Sequence, residues 1–224
     1  NKWKKKRNTP KANFKIATIL ELLFPKKKNM SILDVGTGNG SMITGLEQKG
    51  FTNIEGCEPN KSSYLEAKKK GLIIKFGDYK KINFKKKFDI VYSNHVMEHV
   101  QDPIQCMSEL YRVMKPNGWA IMQVPQDHER ENTYEDASIT SPEEREKHFW
   151  QKDHLRLFGK DYPNWLEKAG FEVEQFPVTD LFNIDESIYD DFKTWDLGDI
   201  VGVSGSLFRT KTDELTIEVW DLEM

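Results

Sequence analysis

Asp34-Val35-Gly36-Thr37-Gly38-Asn39-Gly40 is the densest run of chemically useful residues in this 224-residue chain. It follows the apolar run Ile32-Leu33 and opens into a helical pattern. Glycines at such a junction let the backbone approach a ligand closely. A dinucleotide fingerprint would need glycine at position 41, where Ser41 stands, and no G-x-x-x-x-G-K-[ST] occurs, so a Walker loop is excluded. A carboxylate two residues ahead of the first glycine would repel a pyrophosphate. It suits a ligand with a cationic end, such as an amino-acid ammonium or a sulfonium. Glu58 ends a second apolar run, where a carboxylate can accept from both hydroxyls of a ribose. Asp78, in Gly77-Asp78-Tyr79, ends a third and can accept from an exocyclic adenine amine, with Tyr79 packing nearby. One strand-end acid is often only a helix cap. Three at successive strand ends, beside a glycine loop, form a constellation whose binding residues are Asp34, Gly36, Thr37, Gly38, Gly40, Glu58, Asp78 and Tyr79.

The elements that must position them read as strands alternating with helices. Strands are expected over 31–35, 51–59, 72–78, 88–94, 118–125 and 171–178, and helices over 12–24, 41–48, 61–70, 103–114 and 161–168. Asn60 caps one helix, Gly50, Gly71 and Gly170 end others, and Lys115-Pro116-Asn117-Gly118 reads as a turn. This rhythm predicts an α/β doubly wound, mostly parallel sheet with right-handed crossovers. Residues 126–160 interrupt it as a long polar insertion, and insertions of that length are usually functional or mobile.

All five histidines are candidate proton acceptors, namely His95, His99, His128, His148 and His154. His95-Val96-Met97-Glu98-His99 matches H-x-x-E-H, the inverted zinc-protease pattern. It follows an apolar strand of a nucleotide-type fold instead of lying in a long helix, so no metal is expected. Glu98 and His99 are expected to fix the loop by hydrogen bonds.

Ile32–Gly40, Glu58–Asn60, Gly77–Tyr79, Phe88–Pro103 and Leu110–Trp119 together resemble the class I S-adenosylmethionine-dependent methyltransferases. The likeness is greatest to the type 11 group and the ubiquinone-biosynthesis O-methyltransferases, over roughly residues 12–189. The resemblance implies a Rossmann-like methyltransferase fold. It assigns Asp34, Gly36, Gly38 and Gly40 to the methionine end and loop, Glu58 to the ribose and Asp78 to the adenine. It sets Asn94 and His95 in the wall beside the sulfonium and makes residues 133–162 part of a lid. Ubiquinone-type enzymes carry a metal-binding E-x-x-E-H at this place. His95 replaces its first Glu, which disfavours Mg²⁺. His95 at the sulfonium wall and His154 on the lid are the preferred catalytic pair. Trp150, Phe149 and Tyr134 could line an apolar acceptor pocket or pack the lid itself. An N-P-P-Y after the fourth strand is absent and Ser93-Asn94-His95-Val96 stands there, which favours a small-molecule acceptor. The alternatives are an RNA-binding or RNA-modifying methyltransferase and a non-catalytic S-adenosylmethionine-binding protein.

Residues 196–222 resemble a fragment of the anticodon-binding OB-fold of lysyl-tRNA synthetases, through Asp196-Leu197-Gly198-Asp199-Ile200 and Arg209-Thr210-Lys211-Thr212. Alternation there predicts a β-hairpin of about 199–208 with 214–221, too little for a five-strand OB-fold. Asp185–Tyr189 reads as the start of a seventh methyltransferase strand, with a junction near Tyr189. The expected organisation is a basic arm and helix over 1–29, the methyltransferase domain over 30–189 and the hairpin over 190–224.

Charge follows this division. Residues 1–28 hold ten Lys/Arg against Glu21, whereas residues 180–224 hold twelve acids against three bases. A basic arm could neutralise phosphates, so a nucleic-acid partner stays open but is not favoured. Trp3, Lys4 and Arg7 could instead close over the site. No apolar run is long enough for a membrane span. Two cysteines, Cys57 and Cys106, make no disulfide framework, so a cytoplasmic setting is expected.

Overall fold

The computed structural model describes Leu20, residues 26–80 and 84–173, and the backbone of 182–183, 202–209 and 215–223. Its contacts divide into two compact units, Asn1–Glu172 and Val173–Met224.

In the first unit the strands are β1 (Ser31–Val35), β2 (Asn53–Glu58), β3 (Ile74–Phe76), β4 (Phe88–Asn94) and β5 (Met114–Gln123). They form one sheet in the order β3-β2-β1-β4-β5, with every pairing parallel. The order reverses at β1, so the crevice beyond the carboxyl ends of β1 and its neighbours is the natural place for a ligand. β1 is buried along its whole length, with Ile32 and Leu33 fully enclosed, as a central parallel strand must be.

The crossovers are α1 (Ser41–Gln48), α2 (Lys61–Lys69) and α3 (Pro103–Arg112). Local chemistry starts each one. Asn60 accepts from the Ser62 and Ser63 amides at the head of α2. Asp102 accepts from Gln105 N–H at the head of α3, and Pro103 supplies the fixed φ of a first helical turn. The N-cap of α1 is left-handed Gly40, which has no side chain to cap with; Asn39 Oδ1 accepts from Ser41 N–H at 3.2 Å instead.

Two expectations change. The 115–118 turn is drawn into β5, which starts at Met114 opposite Phe88 and then slips register before pairing Ile90 with Trp119. The irregularity absorbs Asn117, whose φ is +57°. The 126–160 insertion, read as polar and either functional or mobile, holds β6 (Tyr134–Glu135), α4 (Pro142–Phe149) and β7 (Arg156–Leu157). β6 and β7 pair antiparallel, and Phe149, His154, Leu157 and Phe158 are buried. Phe158 then joins the main core with Leu33, Met97, Met107 and Tyr162. Few apolar residues suffice because each is large. Helix α5 (Tyr162–Lys168) follows.

In the second unit β9 (Gly202–Arg209) and β10 (Leu215–Glu223) pair antiparallel, as the alternation predicts, with a two-residue β8 (Phe182–Asn183) parallel to β10. The arm, all of helix 12–24 except Leu20, the 174–178 part of the sixth expected strand, and Asp185–Tyr189 with its junction lie outside the described residues. Residues 171–173 are not in a strand.

Candidate active site

The glycine loop is pinned to β2. Gly36 and Thr37 N–H both donate to the Cys57 carbonyl, at 3.0 and 3.1 Å, and Thr37 Oγ1 donates to the Asp34 carbonyl at 2.9 Å. Gly36, Gly38 and Gly40 all adopt positive φ. Gly36 and Gly40 also need to be bare. A Cβ would sit 2.4 Å from Val96 Cγ2 at the first and 2.1 Å from Leu72 Cδ1 at the second. A Cβ on Gly38 would meet nothing within 4 Å, so this turn of the loop faces open space.

Two acids frame that space. Glu58 is buried at the end of β2, its Oε2 accepting from Gly38 N–H and its Oε1 from Asn60 N–H, both at 2.7 Å. Asp34 is buried at the end of β1, and its Oδ2 accepts no hydrogen bond among the described residues. Burial first, and then the negative Glu58, push its carboxyl up to about 7. A buried acid with an idle oxygen is costly unless a donor or cation joins it. Asn94 Oδ1, at the end of β4, is likewise buried and unpartnered among the described residues. Asp78 is half-buried with Oδ1 accepting from Lys80 N–H at 3.1 Å, and the Tyr79 hydroxyl donates to the Asp102 carbonyl at 3.3 Å.

His95 follows β4 with φ +55°, rare for a residue with a side chain, and its N–H donates to the Gln123 carbonyl at 2.9 Å. Its ring is about one-third exposed, and Nδ1 lies 3.1 Å from Oε1 of the buried Glu98. His154 has no exposed surface. Its Nδ1 donates to the Phe149 carbonyl at 2.8 Å, and its Nε2 lies 3.9 Å from the same Glu98 oxygen. Burial, chiefly, lowers its imidazole to about 4, so it is neutral at ordinary pH. The structure thus brings the two preferred histidines onto one carboxylate, with His95 outward and His154 inside. Glu98, His99 and His154 each offer a ligand atom within 4.8 Å of the others, the one such convergence among the described residues. Tyr134 and Phe149 pack their rings at 5.3 Å in the insertion's own interior, and Trp150 is exposed.

Arg156 escaped the sequence reading. It is buried, and its guanidinium donates to the carbonyls of Met97, Val100 and Gln101 and pairs with Glu135. It straps the insertion to the loop that carries His95. The only signal was an arginine inside the apolar Leu155-Arg156-Leu157-Phe158.

A doubly wound parallel sheet with a glycine loop at its switch point, an idle carboxylate and a second acid one strand over defines a nucleoside-type binding domain of the methyltransferase class. The profile of the methyltransferase-domain family matches residues 7–176, and the chain belongs to that family. Two solved structures share the fold. One is an S-adenosylmethionine-dependent methyltransferase from Thermotoga maritima, 21% identical over 73% of this chain and 71% of that one, TM-score 0.51. The other is an S-adenosylmethionine-dependent methyltransferase from Mesorhizobium loti, 16% identical over 70% of this chain and 81% of that one, TM-score 0.53. The cofactor is S-adenosylmethionine. The residues present fit it: the idle Asp34 oxygen suits a cationic end, and the open face at Gly38 leaves room for close approach.

A 70-residue stretch is 58% identical to the lysine–tRNA ligase of Haemophilus influenzae, covering 31% of this chain and 14% of the ligase. A 69-residue stretch is 44% identical to that of Chromobacterium violaceum, covering 31% and 13%. The chain therefore spans about one seventh of the length of these curated relatives. Among the described residues no helix is long and apolar enough to cross a membrane.

Proposed function

We propose that the chain transfers a methyl group from S-adenosylmethionine to a small-molecule acceptor, with His95 taking the acceptor's proton. The observation that carries this reading is the idle Asp34 carboxylate oxygen beside the glycine loop, at the switch point of the sheet. Asp34 would hold the cationic amino-acid end, Thr37 and the three glycines would let the backbone close on it, and Glu58 would take the ribose hydroxyls. Asp78 and Tyr79 would border the adenine, and Asn94 and His95 the sulfonium. When bound, the cofactor supplies an activated methyl carbon whose bond to sulfur breaks as its bond to the acceptor forms. The protein's share is to align the acceptor, exclude water and remove a proton. Partly exposed His95 can reach an acceptor; enclosed His154 acts from behind by anchoring the insertion. The small-acceptor reading is supported by Ser93-Asn94-His95-Val96 at the end of β4.

Calorimetry with S-adenosylhomocysteine tests the site. Binding to the full chain should be lost in Gly38→Arg and weakened in Glu58→Ala, while unchanged affinity in both would sink the assignment.

A further inference from the structure

Glu98 has no part in the scheme above, yet it is almost wholly enclosed and three histidines face it. Its Oε1 lies 3.1 Å from His95 Nδ1 and 3.9 Å from both His99 Nε2 and His154 Nε2. Its own carbonyl accepts from Leu155 N–H at 2.8 Å, so β4's loop and the insertion are tied at this residue.

The surrounding hydrogen bonds decide where the protons sit. His154 Nδ1 faces the Phe149 carbonyl, and His99 Nδ1 faces the Asp153 carbonyl at 3.2 Å with the Asp153 carboxylate at 3.5 Å. A carbonyl can only accept, so both rings carry their proton on Nδ1 and turn a lone pair, Nε2, toward Glu98. The Gln151 amide abuts the same His154 nitrogen. Neither ring, when neutral, can donate to the carboxylate. His95 is then the one imidazole at hydrogen-bond distance with a proton to give it.

We infer that Glu98 is a positioning residue for His95. Its buried carboxylate holds the His95 proton on Nδ1, against the Nε2–H form that neutral imidazole prefers in water, and so presents the Nε2 lone pair outward. The strained φ of His95 and the bond from its N–H to Gln123 fix the ring's base over that carboxylate. During transfer the acceptor's proton moves to His95 Nε2, while the Nδ1 proton stays on the ring, hydrogen-bonded to Glu98. The inference rests on His95 as the proton acceptor, and the two fail separately.

The test is ¹⁵N NMR of the histidine rings of the full chain, with His95 identified by its disappearance in His95→Gln. The expected wild-type pattern at neutral pH is Nδ1–H with an unprotonated Nε2. In Glu98→Gln the population should move toward Nε2–H, and Glu98→Asp should restore part of it, with S-adenosylhomocysteine affinity unchanged. A wild-type His95 protonated on Nε2 overturns the inference without any variant. So does one bound zinc per purified chain by elemental analysis, since a metal would take the carboxylate that His95 needs. The base reading is judged apart, by methyl transfer to a small-molecule acceptor panel. His95→Gln should abolish it, and undiminished transfer would remove the role for which Glu98 is proposed while leaving the tautomer result standing.

Discussion

Glu58 and Gly38 are joined by a charge-assisted hydrogen bond of 2.7 Å from the loop amide to the buried carboxylate, while the second oxygen of Glu58 takes the Asn60 amide. One side chain therefore shapes the glycine loop and heads the second crossover helix. Glu58→Gln keeps the shape but can satisfy only one of the two amides, leaving its NH₂ against the other. We expect a stability loss of about 1–3 kcal/mol in urea unfolding. S-adenosylhomocysteine binding should weaken at least about tenfold, because the loop relaxes and an anionic acceptor for the ribose is lost. Wild-type affinity in a variant that is destabilised would separate the two roles and deny the second.

Gly38 and Gly40 make a matched pair for separating fold from binding. Both hold positive φ, so alanine costs each about 1 kcal/mol in backbone strain. Only Gly40→Ala also collides with Leu72, and it should lose about 1–3 kcal/mol more. Gly38→Ala should melt close to wild type yet bind S-adenosylhomocysteine much more weakly, its new methyl group standing in the open space beside the loop. Thermal melts and calorimetry on the two variants check the contrast; equal loss of stability would remove it.

Asp34 predicts a pH-dependent affinity. Its carboxyl, normally near 3.8, is pushed up to about 7 by burial and Glu58. A ligand's ammonium favours the ionised form, so binding expels a proton wherever Asp34 is still protonated. Affinity for S-adenosylhomocysteine should rise with pH up to about 7, approaching tenfold per pH unit below it, and level off above. Calorimetry in buffers of different ionisation enthalpy should register the released proton near pH 6, and Asp34→Asn should bind weakly with no such release. The same shift acts on folding with the opposite sense. Stability from protonated Asp34 is fully present below pH 3.8 and is lost as pH rises through about 7.

The glycine loop and its acids were legible because each is local. A strand, a turn with positive φ and a strand-end carboxylate lie within a few residues of one another. The insertion was not, because what orders it is long-range. Arg156 finds its carbonyl partners more than fifty residues earlier, and Phe158 enters a core built by β1, β4 and α3. Its length and polar composition left function or mobility open, and a handful of large buried side chains supply the order. His154 shows the same limit. Its type and place in the insertion marked it for chemistry, but only three dimensions reveal that its ring is enclosed behind His95. The contact division at Glu172 and Val173 also precedes the change in sequence character near Tyr189.

Arg156→Lys should keep the charge and lose the strap, since one ammonium cannot serve three carbonyls and Glu135 together. A loss of about 2–4 kcal/mol is expected, with faster protease cleavage confined to residues 126–160. Cleavage as slow as wild type would show that the insertion is held elsewhere.

His154 makes the first unit acid-sensitive. Burial holds the imidazole at about 4, below its usual 6.5, so the folded chain binds fewer protons than the unfolded chain between those values. Its contribution to stability is complete above pH 6.5 and is lost as pH falls through about 4, amounting to about 3 kcal/mol over the interval. His154→Gln keeps a side-chain amide that can donate to the Phe149 carbonyl but has nothing to titrate. The variant should be less stable than wild type at pH 7.5, because Gln fills the enclosed space less well. The gap should close as the pH approaches 4. Urea unfolding of both proteins across that range checks this, and a gap that stays constant with pH would mean that the buried ring is not what makes the fold yield to acid.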